Sequence, residues 1–343
     1  MHSARRRWLR AALATGSAAA WPWSAQAAGP LPPVSIALTA RYSLYHLPLV
    51  LADRLGYFRQ QGLQVTLLPL ESGRAALASV LQGKADVLAG AFEHVFELQH
   101  RGVFFQAFAQ MTATPMVSLA VAAHRSGPRS WQELKTARIG VSALDSGTHW
   151  MASLWLLRHG LQPQDVSFVE VGTSASALGA LWEGQIDLLC NPDPLMHWLE
   201  SRGDVRVIAE ARSASGVQQL AGGPLPGGCL MAREDHLARQ PQQAVALVEA
   251  MRQALRWLQT AGPADLFKVV PVAPWIGDRS ANLGALEKWR EAYPRDVLVQ
   301  EDAVFNAWRH HAKVASHAPT SRQLLARTFT QAYAPRSRGR LSG

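Results

Sequence analysis

Cysteine is nearly absent from this sequence: Cys190 and Cys229 are the only two among 343 residues. That count excludes a disulfide-stapled scaffold and a cysteine-rich metal centre. Whether the two pair in an oxidising compartment stays open. Each lies in an apolar run, where a free thiol packs as a small hydrophobe. Charged residues are also scarce, at 17%. The formal net charge is +9, and four of those cations, Arg5, Arg6, Arg7 and Arg10, stand in the first 27 residues, which hold no acid. Subtracting the four leaves +5. Further excess gathers at Arg336, Arg338 and Arg340. The body is then only mildly basic and lacks the basic stripe with interleaved aromatics that marks a nucleic-acid binder. Catalytic signatures are missing too. No G-x-S-x-G, G-x-G-x-x-G, phosphate loop or H-E-x-x-H occurs, and Gly140-Val141-Ser142-Ala143-Leu144 lacks the second glycine of a nucleophile elbow. The 12 histidines are scattered, and the adjacent His310 and His311 face different sides of any helix, so neither a metal nor a cofactor is expected.

What is present begins at the N-terminus. Arg5-Arg6-Arg7-Trp8-Leu9-Arg10 precedes a weakly apolar run over 11–20, and Ala25-Gln26-Ala27 fits the small-x-small cleavage rule. Paired arginines with such a weak apolar stretch resemble a twin-arginine export signal. The run is far short of the ~20 apolar residues a membrane span needs, and Pro22 interrupts it. No cysteine stands at the cleavage point to carry a lipid. Cleavage after Ala27 and a soluble protein in the periplasm are expected.

The chain then repeats itself once. Gly62-Leu63, an apolar run over 65–70, a helical pattern over 75–81, Gly83 and Asp86-Val87-Leu88 form the first copy. Gly160-Leu161, 166–171, 175–181, Gly184 and Asp187-Leu188-Leu189 form the second. Gly83 and Gly184 are 101 residues apart, as are Asp86 and Asp187. The glycines follow helical runs, where a left-handed residue closes a helix. Strands alternating with helices read as βαβ units on parallel sheets, and a period of that length means two similar α/β lobes rather than a solenoid.

The remaining pattern gives strands at 34–40, 104–111, 116–123, 139–142, 205–209 and 228–232. Helices are expected at 46–60, with Pro48 in the first turn, at 92–101 and at 147–159. Ser130-Trp131-Gln132-Glu133 reads as a capping box. Residues 213–228, rich in Gly, Ser and Pro, read as a loop. Only helices follow, at 241–259, 282–292, 302–312 and 321–333, and the tail 334–343 is expected to be disordered.

Four motifs carry a resemblance. Pro48, Ala52, Gly56 and Phe58 fall on P-x-x-x-A-x-x-x-G-x-F, followed by Gly62-Leu63-Gln64-Val65 on G-L-x-V. Residues 134–141 are similar to L-K-G-x-x-I-G-V, and 180–187 with Asn191-Pro192-Asp193-Pro194 to A-L-x-x-G-x-V-D-A … E-P. The sequence resembles the SsuA/THI5-like (NMT1-like) solute-binding proteins of ABC importers, which take sulfonates, taurine, nitrate or thiamine-pyrimidine precursors. It departs at Thr136-Ala137-Arg138, where the family has Gly-Lys-Lys, and at Asp193, where it has Glu. The resemblance covers about residues 34 to 260. It implies a two-lobed periplasmic-binding-protein (type II) fold with mostly parallel sheets and a cleft between the lobes. It implies chain crossings at 114–116 and 222–228, hence lobe 1 at 30–115 plus 227–333 and lobe 2 at 116–226. It implies a monomer without chemistry of its own that hands a small molecule to a membrane permease driven by an ATPase. A pyrimidine-synthesis enzyme on the same fold and a periplasmic sensor domain are the alternatives; the export signal speaks against the first.

In open α/β sheets ligands sit beyond the carboxyl ends of the strands, against helix N-termini. Those loops offer Ser43, Tyr45, His46, Ser72, Gly73, Gly90, Phe92 and Glu93 in lobe 1, and Asp145, Ser146, Gly147, Thr148, Thr173, Asn191 and Asp193 in lobe 2. Singly, each serine or threonine reads equally as an ordinary helix cap; their common placement is what suggests a site. Glu71, Glu93 and Asp145 oppose a simple anion, Arg41 and Arg74 could compensate, and the ligand's charge stays open.

Overall fold

The two halves of the chain order their strands identically. The computed structural model describes residues 31–123, 128–314 and 321–335; the expected export segment and residues 336–343 lie outside the described residues. In the first half β1 (Val34–Thr39), β2 (Val65–Leu70), β3 (Val87–Ala91) and β4 (Phe105–Gln110) alternate with α1 (Leu47–Arg54), α2 (Tyr57–Gln60), α3 (Gly73–Leu81) and α4 (His94–His100). The second half holds β5 (Val117–Ala122), β6 (Arg138–Val141), β7 (Ser167–Glu170), β8 (Leu188–Pro192) and β9 (Val205–Glu210). Their helices are α5 (Gly147–Arg158), α6 (Ala175–Trp182), α7 (Leu195–Arg202) and α8 (Ala214–Ala221). Then come β10 (Gly228–Arg233), α9 (Glu234–Arg239), α10 (Pro241–Thr260), α11 (Pro263–Val269), α12 (Arg279–Lys288), α13 (Glu301–Val314) and α14 (Arg322–Leu325).

One sheet runs β2-β1-β3-β10-β4 and the other β7-β6-β8-β5-β9. Both are mixed. β1 pairs in parallel with β2 and β3, as β6 does with β7 and β8. β10 and β5 run against both neighbours. Each reversed strand is the one that has just arrived from the other sheet. The sequence repeat has a shared physical content. Asp86 Oδ2 accepts from the Ser35 amide at 2.8 Å, and Asp187 Oδ2 from the Arg138 amide at 2.8 Å. In both copies the aspartate at the start of a strand satisfies the amide near the start of its parallel neighbour and fixes the register. Gly62, Gly83, Gly160 and Gly184 all have φ between +66° and +78°, as helix-closing glycines should. Cys190 and Cys229 are free thiols, fully buried in different sheets.

Several local expectations are corrected. The helix expected at 46–60 breaks at Gly56, whose φ is +75°. Ser130 makes no cap; Glu133 accepts from the Arg129 amide at 2.9 Å instead. Residues 213–228 contain a helix, α8. Ser213 caps it by accepting from the Gly216 amide at 3.0 Å, and Val217, Leu220 and Ala221 bury its apolar face. The tail helix expected at 321–333 is only the short α14. Phe329 instead bridges to Ala107, with Ala107 donating to Thr328 O and Thr330 donating to Ala107 O, both at 2.9 Å. β4 is an edge strand, and the tail covers its unpaired polar groups. Ala334, within the tail expected to be disordered, packs against the first core. The C-terminal helices touch both halves: α10 lies on α1, α12 on α7 and α13 on α5.

Thr136, one of the departures from the resembled family, has φ +67°. A β-branched residue is strained there by about 1–2 kcal/mol, and glycine is not. Thr136→Gly should therefore stabilise the protein by about 1 kcal/mol once the extra freedom of unfolded glycine is deducted. Urea denaturation checks it; an unchanged or lower midpoint contradicts it.

Candidate functional site

The loops after β1, β2 and β3 meet those after β6, β7 and β8 across a cleft enclosing roughly 630 Å³ of unfilled space, part of it open to solvent. Its first wall is Ser43, Tyr45, His46, Gly73, Gly90 and Glu93; its second is Ser146, Gly147, Thr148 and Thr173. All ten belong to the residues expected from sequence. Two helix starts close on each other here. A Cβ on Gly147 would lie 2.8 Å from Glu93 Oε1 and 2.9 Å from Ala91 Cβ. A Cβ on Gly73 would lie 3.4 Å from His94 Nε2 and 4.0 Å from Ser146 Cβ. Glycine at 147 therefore lets the start of α5 seat against the opposite wall.

The start of α5 is lined with hydroxyls. Ser146 caps it, accepting from the His149 amide at 3.4 Å and donating to Ala143 O at 2.6 Å. The Ser142 hydroxyl donates to Ser146 Oγ at 2.9 Å, and the Ser142 amide to Thr148 Oγ1 at 2.8 Å. Facing this cluster is Glu93, whose carboxyl burial pushes up to about 7, its own backbone amide opposing the shift. Both imidazoles on the wall are held neutral by burial, His46 pushed down to about 3 and His94 to about 4. His46 Nε2 lies 3.1 Å from Thr39 Oγ1, and its buried Nδ1 has no partner among the described residues. Tyr45 stands edge-on to His46, ring centroids 5.0 Å apart. Burial, and then Glu93, raises its phenol.

Among the described residues, no lysine or arginine lines the cleft. Arg41 lies 3.6 Å from Asp53, and neither it nor Arg74, Glu71 or Asp145 is on the wall. Asp145 is exposed with φ +59°, its amide donating to His149 Nδ1 at 3.0 Å. Glu93 is the one carboxyl on the cleft wall among the described residues. Glu93 can accept hydrogen bonds from a guest, and the hydroxyls of Ser43, Tyr45, Thr148 and Thr173 and the helix starts can donate to one.

Other expected residues fall elsewhere. Ser72 caps α3, accepting from the Ala75 amide at 3.1 Å. Phe92 turns into the core against Phe96. Asn191 is buried behind the wall, donating to Gly172 O at 3.0 Å. Asp193 is 1% exposed. Its carbonyl accepts from Ser43 Oγ at 3.1 Å and the Leu44 amide at 2.9 Å, which ties the first half to the second. Beside it the buried Arg212 guanidinium lies 3.5 Å from Asp193 and 3.4 Å from Glu200, with Trp289 beneath it at 4.4 Å. His94 and Ser142 were missed. His94 is in the first turn of a helix whose apolar pattern reads as core, and Ser142 follows the last residue of β6 at the head of the loop that carries Ser146 and Thr148.

The sequence model of the NMT1/THI5 like family matches residues 43–262. A solved structure from Bordetella bronchiseptica RB50 is 35% identical over 88% of this chain and 95% of its own, with a TM-score of 0.83. The periplasmic aliphatic sulphonate binding protein SsuA from Escherichia coli shares the fold at 15% identity and TM-score 0.62, over 87% of this chain and 92% of its own. A 4-amino-5-hydroxymethyl-2-methylpyrimidine phosphate synthase from Schizosaccharomyces pombe is 26% identical over 61% of each chain.

Glu93 gives the site a pH signature. Its folded pKa of about 7 lies above the ordinary 4.5. Between those values the folded protein holds a proton that the unfolded chain has released, so this group lowers stability as pH rises through the window. His46 and His94, pushed down, act oppositely below their ordinary 6.5. Glu93→Gln isolates the carboxyl. Relative to wild type, the variant should gain on the order of 2 kcal/mol between pH 5 and pH 8, the start of α5 offsetting part of the full shift. Paired urea titrations measure it; a difference independent of pH contradicts it.

Proposed function

We propose that this chain, which belongs to the NMT1/THI5-like family, is the exported solute-binding component of an ABC-type importer. Its cargo is a small heterocycle that donates N–H bonds, neutral or cationic, of pyrimidine type. The observation that carries the reading is Glu93, a carboxyl inside a cleft that no lysine or arginine among the described residues lines. Where Glu93 is ionised, a sulfonate or nitrate ion would bring a second negative charge beside it in a low-dielectric site. An aminopyrimidine instead presents donors to the carboxylate and ring nitrogens to the amides and hydroxyls at the start of α5.

The receptor works by closing two lobes, 30–115 with 227–333 and 116–226, about the paired crossings. Thr112 Oγ1 donates to Thr114 O at 2.9 Å and accepts from the Gly228 amide at 2.7 Å, and Thr114 Oγ1 donates to Arg212 O at 3.2 Å. These bonds hold the crossings side by side. The protein acts in the periplasm as a monomer and delivers its cargo to a permease and its ATPase. Arg5, Arg6 and the cleavage site after Ala27 support the export route. The synthase relative supplies a second reading, in which the same cleft converts a pyrimidine precursor.

Calorimetric titration with 4-amino-5-hydroxymethyl-2-methylpyrimidine, taurine, ethanesulfonate and nitrate tests the proposal. The pyrimidine should bind and be recovered unaltered. Glu93→Gln should weaken it about ten- to a hundredfold, as for loss of a charged hydrogen bond. Gly147→Val, which fills the contact between the walls, should abolish it while the protein stays folded. Tight binding of a sulfonate or nitrate, indifferent to Glu93→Gln, would sink the reading; conversion of the pyrimidine would favour the enzyme.

A further inference from the structure

α13 touches a helix of each cleft wall. It packs on α5, whose start forms part of the second wall. It also sets the ring of His311 against Phe96 of α4, centroids 5.2 Å apart, and α4 begins directly after Glu93. The spacing of its residues explains this seat. Val304, Ala307 and His311 follow one another at intervals of three and four, share one face and are buried. Val304 and Ala307 belong to one packed cluster with Phe92 and Phe96 of the first half and Trp150, Met151 and Leu154 of the second.

A neighbouring face of α13 binds the end of α8. Asn306 and His310 stand one turn apart. The last carbonyls of a helix have no partner within it, and α8 ends at Ala221. A carbonyl only accepts, so His310 donates from Nε2 to Ala221 O, at 2.9 Å. Asn306 Nδ2 donates to Ala221 O at 3.4 Å and to Pro224 O at 3.0 Å. A Cβ on Gly223 would lie 3.2 Å from that same Nδ2. The chain on either side of α13 is fixed to the first half instead. Val297 O accepts from the Gln110 amide at 2.7 Å before it, and Leu324 O from Gln99 Nε2 at 2.8 Å after it. The chain thus leaves the first half, lays α13 against the second and returns, beyond the crossings at 114–116 and 222–228.

We propose that α13 is a wedge that sets how closely the two cleft walls approach. With its bonds to Ala221 and Pro224 made, it holds α4 and α5 at the separation where Glu93 meets Gly147; with them lost, the lobes populate a wider state. Asn306 and His310 are positioning residues that act through α13, and neither is on the cleft wall. The inference rests on the two-lobe motion of the reading above and not on the identity of the cargo. It places α13 at the joint between the lobes rather than in the body of the first.

Spin labels at Lys84→Cys and Glu183→Cys report the separation of the halves. Both positions are exposed, just after α3 and α6, and the native Cys190 and Cys229 are fully buried. Double electron–electron resonance on the labelled mature chain should give one main distance. Adding Asn306→Ala and His310→Ala together should raise the population at longer distances about tenfold relative to the main one, as expected for two lost hydrogen bonds. His310→Ala alone should fall between, and serves if the doubled variant does not fold. His310→Gln keeps a donor and should return the parental distances. Thermal melts follow folding in each variant. A variant that melts lower yet keeps the parental distances makes α13 a structural tail only and overturns the wedge. So does a widening that His310→Gln shares in full with His310→Ala. Titration of the same chains with 4-amino-5-hydroxymethyl-2-methylpyrimidine separates the two readings. Distances that widen as expected in a chain that ignores the pyrimidine sink the reading of Glu93 and leave the wedge. Parental distances throughout, in a chain that binds the pyrimidine, sink the wedge and leave that reading.

Discussion

The carboxyl of Glu93 is buried opposite the start of α5, and among the described residues no lysine or arginine joins it on the cleft wall. Removing a carboxylate from water is costly, and the unaided group responds by holding its proton to higher pH. Two features make the arrangement tolerable. The start of α5 brings partial positive charge and unpaired amides toward it, and Gly147 leaves no side chain between the two walls. The cost that remains is lowered by any guest that donates a hydrogen bond. The pH dependence this group gives the fold, and part of the raised pKa of the Tyr45 phenol, follow from this placement.

The topology explains why such an approach occurs at all. Each sheet has the same strand order, and each receives its reversed strand from the other. The two sets of parallel strands therefore present their carboxyl ends, and the helix starts that follow, to one shared space. The crossings are held together by Thr112 and Thr114, and Gly227 has no room for a Cβ, which would sit 2.2 Å from Thr114 O. The C-terminal helices add to this frame. α13 lies on α5, and Asn306 and His310 bond to the carbonyls of Pro224 and Ala221 at 3.0 and 2.9 Å beside the second crossing. The tail beyond them returns to the edge of the first sheet at Phe329. A lobe motion has to be accommodated by the tail as well as by the crossings.

Much of this was legible in the sequence because it depends on residue types with few alternatives. Glycines that close helices, aspartates that start strands and serines that cap helices recur at fixed spacing, and the structure puts each to that use at Gly83 and Gly184, Asp86 and Asp187, and Ser72 and Ser146. The loops that follow parallel strands could be named from the strand pattern alone. What was not legible depends on tertiary context. α8 was hidden because its small residues read as loop; Gly216 is small because a Cβ there would sit 2.3 Å from Glu210 Oε1. The pairing of Phe329 with Ala107 answers an open sheet edge that no local pattern reveals. Phe92 and Asn191 lie in the right loops but turn away from the cleft, since strand and loop positions fix a Cα and not a side-chain direction. Trp275 reaches a cavity beside the cleft from a segment beyond the repeat, and no periodicity connects it with Tyr42 on the same cavity wall.

On the proposed reading the cleft recognises its guest through Glu93, with the guest donating to that carboxyl between the facing helix starts. A crystal structure of the mature chain with 4-amino-5-hydroxymethyl-2-methylpyrimidine tests this most directly. The amino group or a protonated ring nitrogen should lie within hydrogen-bond distance of a Glu93 oxygen, with the ring between Gly73 and Gly147. A ring bound away from Glu93, or an anion held at the start of α5 with the Glu93 side chain turned out of the cleft, would contradict it.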